Sequence, residues 1–177
     1  MSGKVIKIIF FAFSLVLFAY LSLPNFDFPL PPSDSLTSDE PADSETPLRR
    51  AYFTDFTREE VLRWYEAQMK NSEFLGIPLP TFRLNYPPEE AQTIIRDQTR
   101  STFLQEIVHP MRESVYINGF EPADPKDAVI IKGRHFRQKI IVRFVPSSFP
   151  VRLISFFGVI LSSVILFKSY AKTFKHR

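Results

Sequence analysis

The chain has no cysteine among its 177 residues. This absence excludes a disulfide framework, thiolate zinc sites, iron–sulfur clusters, a catalytic thiol and a lipidated N-terminal cysteine. Only five glycines are present, each isolated from the others, so there is no glycine-rich phosphate loop. The G-x-S-x-G, H-E-x-x-H and N-x-[ST] patterns are also missing. Motifs therefore point to no enzyme class, and a domain outside the cytoplasm would depend on its core alone.

Charge of one sign is missing from each of two long stretches. Between Asn25 and Leu48 there are six acidic residues and no basic ones, whereas Ala128 to Arg177 contains ten Lys or Arg and no acid. The acidic stretch is also rich in proline. Such a composition buries too little apolar surface to order itself. We therefore expect residues 24–48 to be a disordered, acidic, Pro-rich tether.

Two long apolar runs lie near the ends of the chain. Val5 to Leu23 is interrupted only by Lys7, and Val151 to Phe167 carries only Arg152, at its edge. At a rise of 1.5 Å per residue these runs cover about 25 to 28 Å, close to the hydrocarbon thickness of a bilayer. We predict transmembrane helices at 5–23 and 151–167. The first is interpreted as an uncleaved signal anchor because no good cleavage site follows it, with a cleaved signal peptide as the alternative.

Basic residues stand at the N-terminal end of the first run and at the C-terminal end of the second. Lys4 and Lys7 stand at the start of the first run, and the tail 168–177 carries four Lys or Arg. Because such residues stay in the cytoplasm, both termini are predicted to be cytoplasmic. The protein is then an integral, two-pass membrane protein with an extracytoplasmic domain at 49–148. Nucleic acid is excluded as a partner by that location.

The middle of the chain alternates between strand and helix patterns. Arg50 to Phe56 reads as a strand, and Thr57 with Glu60 forms the capping box of a helix that follows at once. Phe82 to Tyr86 has the alternation of a half-buried strand. Pro88 then suits the first turn of a second helix, which would carry Ala91, Ile94 and Ile95.

Several further strands are predicted after residue 103. Asn118-Gly119 is interpreted as a turn or bulge pair, and Lys132-Gly133 as a turn after Val129 to Ile131. Ile140 to Val145 would complete a terminal hairpin, with Ile140, Val142 and Phe144 facing the core. This order predicts an α+β fold, with a small, mostly antiparallel sheet and two helices, flanked by the two transmembrane helices.

The stretch QEIVHPMRE carries the densest set of reactive side chains: Glu106, His109, Arg112 and Glu113. A helix would align three of them for a metal, but Pro110 opposes helix there, and on a strand Glu106 and Glu113 point to opposite faces. We therefore predict no metal site and no cofactor. We expect a bend where a helix meets the sheet, locked by ion pairs. A general acid–base pair of His109 with a carboxylate is the catalytic alternative.

Two further sets of residues are candidates for binding. The first is a basic hairpin with one aromatic residue, which would contact anionic lipid headgroups or a partner: Lys132, Arg134, Arg137, Lys139, Arg143 and Phe149. The alternatives for its cations are pairing with the acidic tether and an ordinary solvated sheet edge. The second is a stripe of small residues on the second apolar run: Ser155, Gly158 and Ser162. It would serve packing within the chain or in a homodimer, or simply face lipid.

The segment IIRDQTRSTFLQEIVHPMRESVYINGFEP, together with the two apolar runs, resembles uncharacterised bacterial two-span membrane proteins with a small extracytoplasmic α+β domain. The resemblance covers about Arg49 to Tyr170 and implies a bacterial plasma membrane, but no known activity. Our first hypothesis is a non-enzymatic envelope protein whose domain lies against the bilayer and binds lipid and another envelope protein, itself, or an envelope polymer. The second is a membrane-surface hydrolase or transferase that uses His109 and a carboxylate.

Overall fold

The computed structural model describes residues 3–87, 89–91, 102–122 and 129–175. The chain divides into two compact units, one of Met1–Asn25 with Ser147–Arg177 and one of Phe26–Pro146. We call the first the helical unit and the second the sheet domain. The elements are α1 Gly3–Leu21, β1 Leu36–Thr37, a 3-10 turn Pro41–Asp43, β2 Arg49–Thr54, α2 Arg58–Lys70, β3 Glu73–Phe74, β4 Ile77–Pro78, β5 Phe82–Asn85, β6 Thr102–Val108, β7 Ser114–Phe120, β8 Val129–Ile131, β9 Arg134–Phe136, β10 Gln138–Val145 and α3 Phe149–Lys175.

The sheet domain is built on a six-stranded antiparallel sheet. Its strand order is β1-β2-β10-β7-β6-β5, and β3-β4 and β8-β9 are separate two-stranded hairpins. The predicted α+β architecture with an antiparallel sheet is therefore confirmed. Of the second helix predicted in this domain, residues 89–91 are helical, while Ile94 and Ile95 lie outside the described residues.

Helix α2 begins where the capping box predicts. The Thr57 hydroxyl accepts a hydrogen bond from the Glu60 amide, and the Glu60 carboxylate accepts one from the Thr57 amide. These two bonds satisfy amides that the first helical turn leaves without partners. The Thr57 bonds hold the pKa of Glu60 below its ordinary value.

One face of the sheet packs against α2 to form the core of the domain. Helix α2 contributes residues at helical spacing, and β6, β7 and β10 contribute every second residue. The core consists of Tyr52, Val61, Leu62, Tyr65, Met69, Phe103, Ile107, Val115, Ile117, Ile140, Val142 and Phe144. The inward alternation predicted for the last strand is thus confirmed.

The turn at Lys132-Gly133 is also confirmed, but its partner strand is not the predicted one. Val129–Ile131 pairs with Arg134–Phe136, and β10 instead lies in the main sheet between β2 and β7. Two residues in the turn suffice to close the small hairpin because both have positive φ, 53° and 78°.

Gly119 lies inside β7, so the interpretation of Asn118-Gly119 as a turn or bulge is wrong. Phe103 is its partner on β6, and the Phe103 ring covers the glycine. A Cβ atom at Gly119 would come within 2.0 Å of the ring atom Cε1 of Phe103. The position needs glycine because a neighbouring strand's ring fills the space of a side chain.

The segment predicted as a disordered tether is ordered from Phe26 onward, which corrects that prediction. Phe26 and Phe28 pack against Phe144, with ring centroids 6.5 and 6.3 Å away. β1 pairs with β2 as an edge strand, and the Trp64 indole N–H donates to the Leu30 carbonyl. These contacts dock the segment on the sheet, so the domain starts at Phe26 rather than at residue 49.

The helical unit consists of α1 and α3, which pack antiparallel. Phe18, near the end of α1, lies 5.5 Å from the Phe156 ring near the start of α3. Both helices are long and apolar enough to cross a membrane, at Lys4–Leu21 and Phe149–Thr173, and only 6% and 11% of these residues are buried. The pair of apolar terminal helices is confirmed, and α3 continues through most of the predicted tail.

Arg152 joins the ends of the two helices. Its Nη2 donates to the Leu23 carbonyl at 3.2 Å and to Asn25 Oδ1 at 2.8 Å, and the residue is only 4% exposed. It therefore holds the chain just beyond α1 instead of reaching the headgroups as a free cation. The members of the small-residue stripe are all exposed: Ser155, Gly158 and Ser162. Its packing within the chain or in a homodimer, or its exposure to lipid, stays a prediction.

Candidate functional site

QEIVHPMRE begins in β6 and ends in the turn that joins β6 to β7. The predicted bend between a helix and the sheet is therefore wrong, because both flanking elements are strands. The turn closes through two backbone bonds of 2.9 Å, from the His109 amide to the Glu113 carbonyl and from the Arg112 amide to the His109 carbonyl. Met111 sits at its tip with φ of 61° and is 58% exposed.

Glu113 is the centre of a buried polar cluster in this turn. Arg112 donates to its two carboxylate oxygens from Nη2 at 2.9 Å and Nε at 3.2 Å, and His109 Nδ1 lies 3.2 Å from Oε1. The Phe26 amide donates to the same oxygen, also at 3.2 Å. His109 and Glu113 are fully buried, and the Arg112 side chain is 1% exposed. We call Glu113, His109 and Arg112 the turn cluster.

The second ring nitrogen of His109 is occupied as well. Its Nε2 lies 2.9 Å from the Met69 carbonyl in the last turn of α2, and a carbonyl can only accept. Burial raises the pKa of Glu113, but the His109 hydrogen bond and the Arg112 charge outweigh it and hold that pKa below its ordinary value. The carboxylate is thus ionised. Both His109 ring nitrogens face oxygen acceptors, and the ring is fully buried, so no ring atom is accessible to a substrate.

Glu106 lies apart from the turn cluster, because it belongs to β6 whereas the cluster lies in the turn that follows. It faces the side of the sheet opposite α2, where the Tyr86 hydroxyl donates to it at 2.5 Å and Tyr116 is its cross-strand neighbour. The hydrogen bond to Glu106 raises the pKa of Tyr86, and burial followed by the Glu106 bond raises that of Tyr116. The four reactive residues of QEIVHPMRE therefore form two sites: His109, Arg112 and Glu113 lie together, and Glu106 lies apart from them.

Most of the predicted basic binding set faces carboxylates. Lys132 pairs with Asp39 at 3.4 Å, Arg134 with Asp55 at 2.9 Å, Arg137 with Glu121, and Lys139 with both Glu40 and Asp43 at 2.9 and 2.8 Å. Burial lowers the pKa of Lys139, but bonds to Asp43 and Glu40 outweigh it, and the net shift is upward. Lys132 and Lys139 thus hold the acidic segment, as the alternative proposed, whereas Arg134 and Arg137 pair with carboxylates outside it.

The basic set is also spread along the sheet. Lys139 lies near the start of β10, and Arg143 lies four residues farther along that strand, about 13 Å away at 3.3 to 3.4 Å per residue. Arg143 faces the side of the sheet that carries Tyr116, its partner across the strands. Binding of a membrane surface or a partner by this set stays a prediction.

One end of the sheet carries both connections of the domain to the rest of the chain. Val145, the last residue of β10, pairs with Ser114 beside the turn cluster, and Phe26 is bonded to Glu113. The chain leaves from here toward α3 through Pro146 to Ser148 and toward α1 through Ser22 to Asn25. We call this the linker end of the sheet.

Exposed apolar side chains also gather at this end, and sequence reasoning missed them. The β3-β4 hairpin has its base between Met69, which contacts His109, and Phe82, which pairs with Val108. The exposed apolar side chains of this hairpin and of β5 are Phe74 at 43%, Leu75 at 86%, Ile77 at 67%, Phe82 at 59% and Leu84 at 49%. The signal was present in the apolar run FLGIPLPTFRL, whose Leu-Gly pair marks a tight turn.

No protein-family model, no curated protein and no solved structure matches the chain. The resemblance to bacterial two-span proteins therefore stays a prediction. Within the part of the chain that the structure describes, no three His, Asp or Glu side chains gather as metal ligands would.

Proposed function

We propose that this is a two-pass integral membrane protein whose sheet domain is a non-catalytic docking module for another protein. Both termini lie in the cytoplasm and the sheet domain outside it, in the bacterial plasma membrane that the resemblance implies. The observation that carries the proposal is β5, an edge strand whose four residues are all exposed and whose outward side chains are apolar. A partner segment adds to this edge.

The two terminal helices support the membrane location. Only 6% and 11% of the residues in the two candidate spans are buried, which is the opposite of what a soluble core helix requires. The basic residues at 4, 7, 168 and 172 favour a cytoplasmic location for both ends. Retention of α1 is supported by its contacts with α3, since cleavage would remove the Phe18 partner of Phe156.

The chemistry of β5 favours a protein over an envelope polymer. An edge strand presents unpaired N–H and C=O groups, which an extended peptide satisfies by main-chain hydrogen bonds. Phe82 and Leu84 project to one side, while Arg83 projects to the other and pairs with Glu66 of α2 at 3.1 Å. No outward charge therefore blocks apolar contact. A polysaccharide would instead be recognised by hydrogen-bonding side chains.

The enzymatic alternative would need His109 to meet a substrate. That ring is fully buried and bonded at both nitrogens, so the geometry supports a positioning role for the turn cluster. It joins the C-terminal end of α2, the β6-β7 turn and the Phe26 segment. A rigid turn next to Phe82 would keep the edge strand in place.

A photo-crosslinking amino acid in place of Leu84 tests the docking proposal in native membranes. We expect a discrete, light-dependent adduct with a different protein, because Leu84 lies in the proposed contact. The control is the same amino acid in place of Ile130, which is 64% exposed on β8 away from β5, and it should give no such adduct. Adducts containing only lipid or the protein itself, or equal adducts at both positions, would contradict the proposal.

A further inference from the structure

Two hairpins of the sheet domain share one backbone design. The β3-β4 hairpin turns at Leu75 and Gly76, with φ of 52° and 77°, and the β8-β9 hairpin turns at Lys132 and Gly133, with φ of 53° and 78°. Both are therefore two-residue turns with positive φ at each central position, a geometry that favours Asn or Gly. Leucine at this position therefore does not stabilise the turn more than asparagine would.

The two hairpins differ in chemistry and in location. The β3-β4 hairpin presents three exposed apolar side chains, Phe74, Leu75 and Ile77, with its one charged residue, Glu73, at the base. The β8-β9 hairpin presents Lys132, paired with Asp39, at its tip. The base of the apolar hairpin is at the linker end of the sheet, whereas the basic hairpin immediately precedes the start of β10 at the opposite end.

The short connections of the sheet domain to α1 and α3 limit the distance between the apolar hairpin and a membrane. Only Pro146 to Ser148 separate β10 from α3, and Ser22 to Asn25 separate α1 from Phe26. Extended chain spans at most about 3.3 to 3.6 Å per residue, so these connections reach roughly 10 to 14 Å. If α1 and α3 cross a bilayer whose outer surface lies near Leu21 and Phe149, these connections hold the linker end close to that surface. An exposed hairpin at that end is then within reach of the headgroup region.

We propose that the β3-β4 hairpin inserts Phe74, Leu75 and Ile77 into the outer interfacial region of the bilayer. The proposal rests on the two-span anchorage put forward above, and its occupant is the lipid surface itself. Exposed apolar side chains gain by leaving water for the boundary between headgroups and acyl chains. The hairpin is a third point of attachment, which sets the tilt of the sheet domain and leaves the polar hairpin and the far end of β5 in water.

The absence of cysteine makes this testable with single-cysteine variants of the full-length protein. Leu75→Cys, Ile130→Cys and Leu161→Cys, exposed by 86%, 64% and 62% in the native chain, are each labelled with the fluorophore NBD. The proteins are reconstituted in phosphatidylcholine vesicles, with or without nitroxide lipids labelled near the headgroup or deep in the acyl chain. Leu161 in α3 reports on the span, and Ile130 in the matched hairpin reports on water exposure.

For the probe at position 75 we expect a blue-shifted emission and about a twofold loss of intensity with the headgroup-proximal nitroxide, as interfacial depth implies. The probe at position 130 should show neither change, and the probe at 161 should be quenched by the deep nitroxide. If position 161 is quenched while position 75 behaves like position 130, the hairpin proposal is overturned and the anchorage stands. If position 161 is not quenched, the two-span anchorage itself fails.

A second set of variants excludes an effect of the label. Leu75→Asn suits the positive φ of the turn and removes the apolar tip, and the probe is then placed at Ile77→Cys. We expect the nitroxide quenching at position 77 to fall in the Leu75→Asn background relative to the background with Leu75. The matched Lys132→Asn change, made in the opposite hairpin, should leave it unaltered. Unchanged quenching after Leu75→Asn would overturn the role of the tip.

Discussion

Replacing Glu113 by alanine should lower the free energy of unfolding of the sheet domain by about 3 to 5 kcal/mol, the cost of breaking a buried ion pair from one side. The change leaves the Arg112 guanidinium and the His109 ring buried without their shared acceptor. It also removes the acceptor of the Phe26 amide, which loosens the start of the domain. The loss is large because three donors from different parts of the turn and the N-terminal segment meet on one carboxylate.

Trp64 provides the measurement, because it is the only tryptophan in the chain and packs on Phe56 at the domain core. Its fluorescence during urea unfolding of the full-length protein in detergent micelles gives the free energy of each variant. Glu45→Ala is the control, since Glu45 pairs with Arg49 at the surface, and it should change stability by no more than about 1 kcal/mol. Equal stability of the two variants would contradict the role of the turn cluster. A stable Glu113→Ala protein with lost activity in cells would favour the catalytic alternative.

The same carboxylate gives the stability a defined pH dependence. Because the pKa of folded Glu113 lies below the ordinary value of 4.5, the unfolded chain takes up this proton first as the pH falls. The contribution of Glu113 is therefore fully present above that ordinary pKa and is lost as the pH falls through the folded value. Urea midpoints should decline over that window more steeply for the native protein than for Glu113→Gln. Parallel profiles would contradict the assignment.

Gly119→Ala should cost about 1 to 3 kcal/mol, the usual range for forcing extra volume into a packed core. The new Cβ would meet the Phe103 ring at 2.0 Å from Cε1 and 2.1 Å from Cζ. Phe103 is 3% exposed and lies under the Arg58 guanidinium, whose centre is 4.8 Å from the ring centroid. The ring can move away only by disturbing that contact and its core neighbours.

A double-mutant cycle separates this clash from other effects of the substitution. Phe103→Leu removes the ring atoms that the new Cβ would strike, so Gly119→Ala should cost less in that background. Gly158→Ala is the matched control, because nothing lies within 4 Å of a Cβ at that position, and it should leave the unfolding of the sheet domain unchanged. Additive costs of Phe103→Leu and Gly119→Ala would show that the ring is not the cause.

Features that depend on neighbouring residues could be predicted from the sequence. The capping box of α2 requires only Thr57 and Glu60, and the inward alternation of β10 is contained within Ile140 to Phe144. The two terminal apolar helices follow from uninterrupted apolar length. In each case the stabilising contacts lie within one turn, one strand or one run, so local pattern carries the information.

Features that depend on distant partners could not be predicted in the same way. The acidic segment has the composition of a disordered tether, yet it is held by Lys132 and Lys139, which lie more than 90 positions away. The partners of the turn cluster likewise include the Met69 carbonyl and the Phe26 amide. The ring that covers Gly119 belongs to another strand, and only the sheet register reveals it.

Labelling with a membrane-impermeant maleimide tests the central claim, a sheet domain held outside the cytoplasm by two retained spans. Ile130→Cys places the only thiol of the chain on the sheet domain, and Thr173→Cys places it near the end of α3. We expect intact cells to label full-length Ile130→Cys protein, and Thr173→Cys protein to be labelled only after permeabilisation. Labelling of position 173 in intact cells, protection of position 130, or a mature chain that lacks α1 would contradict the account.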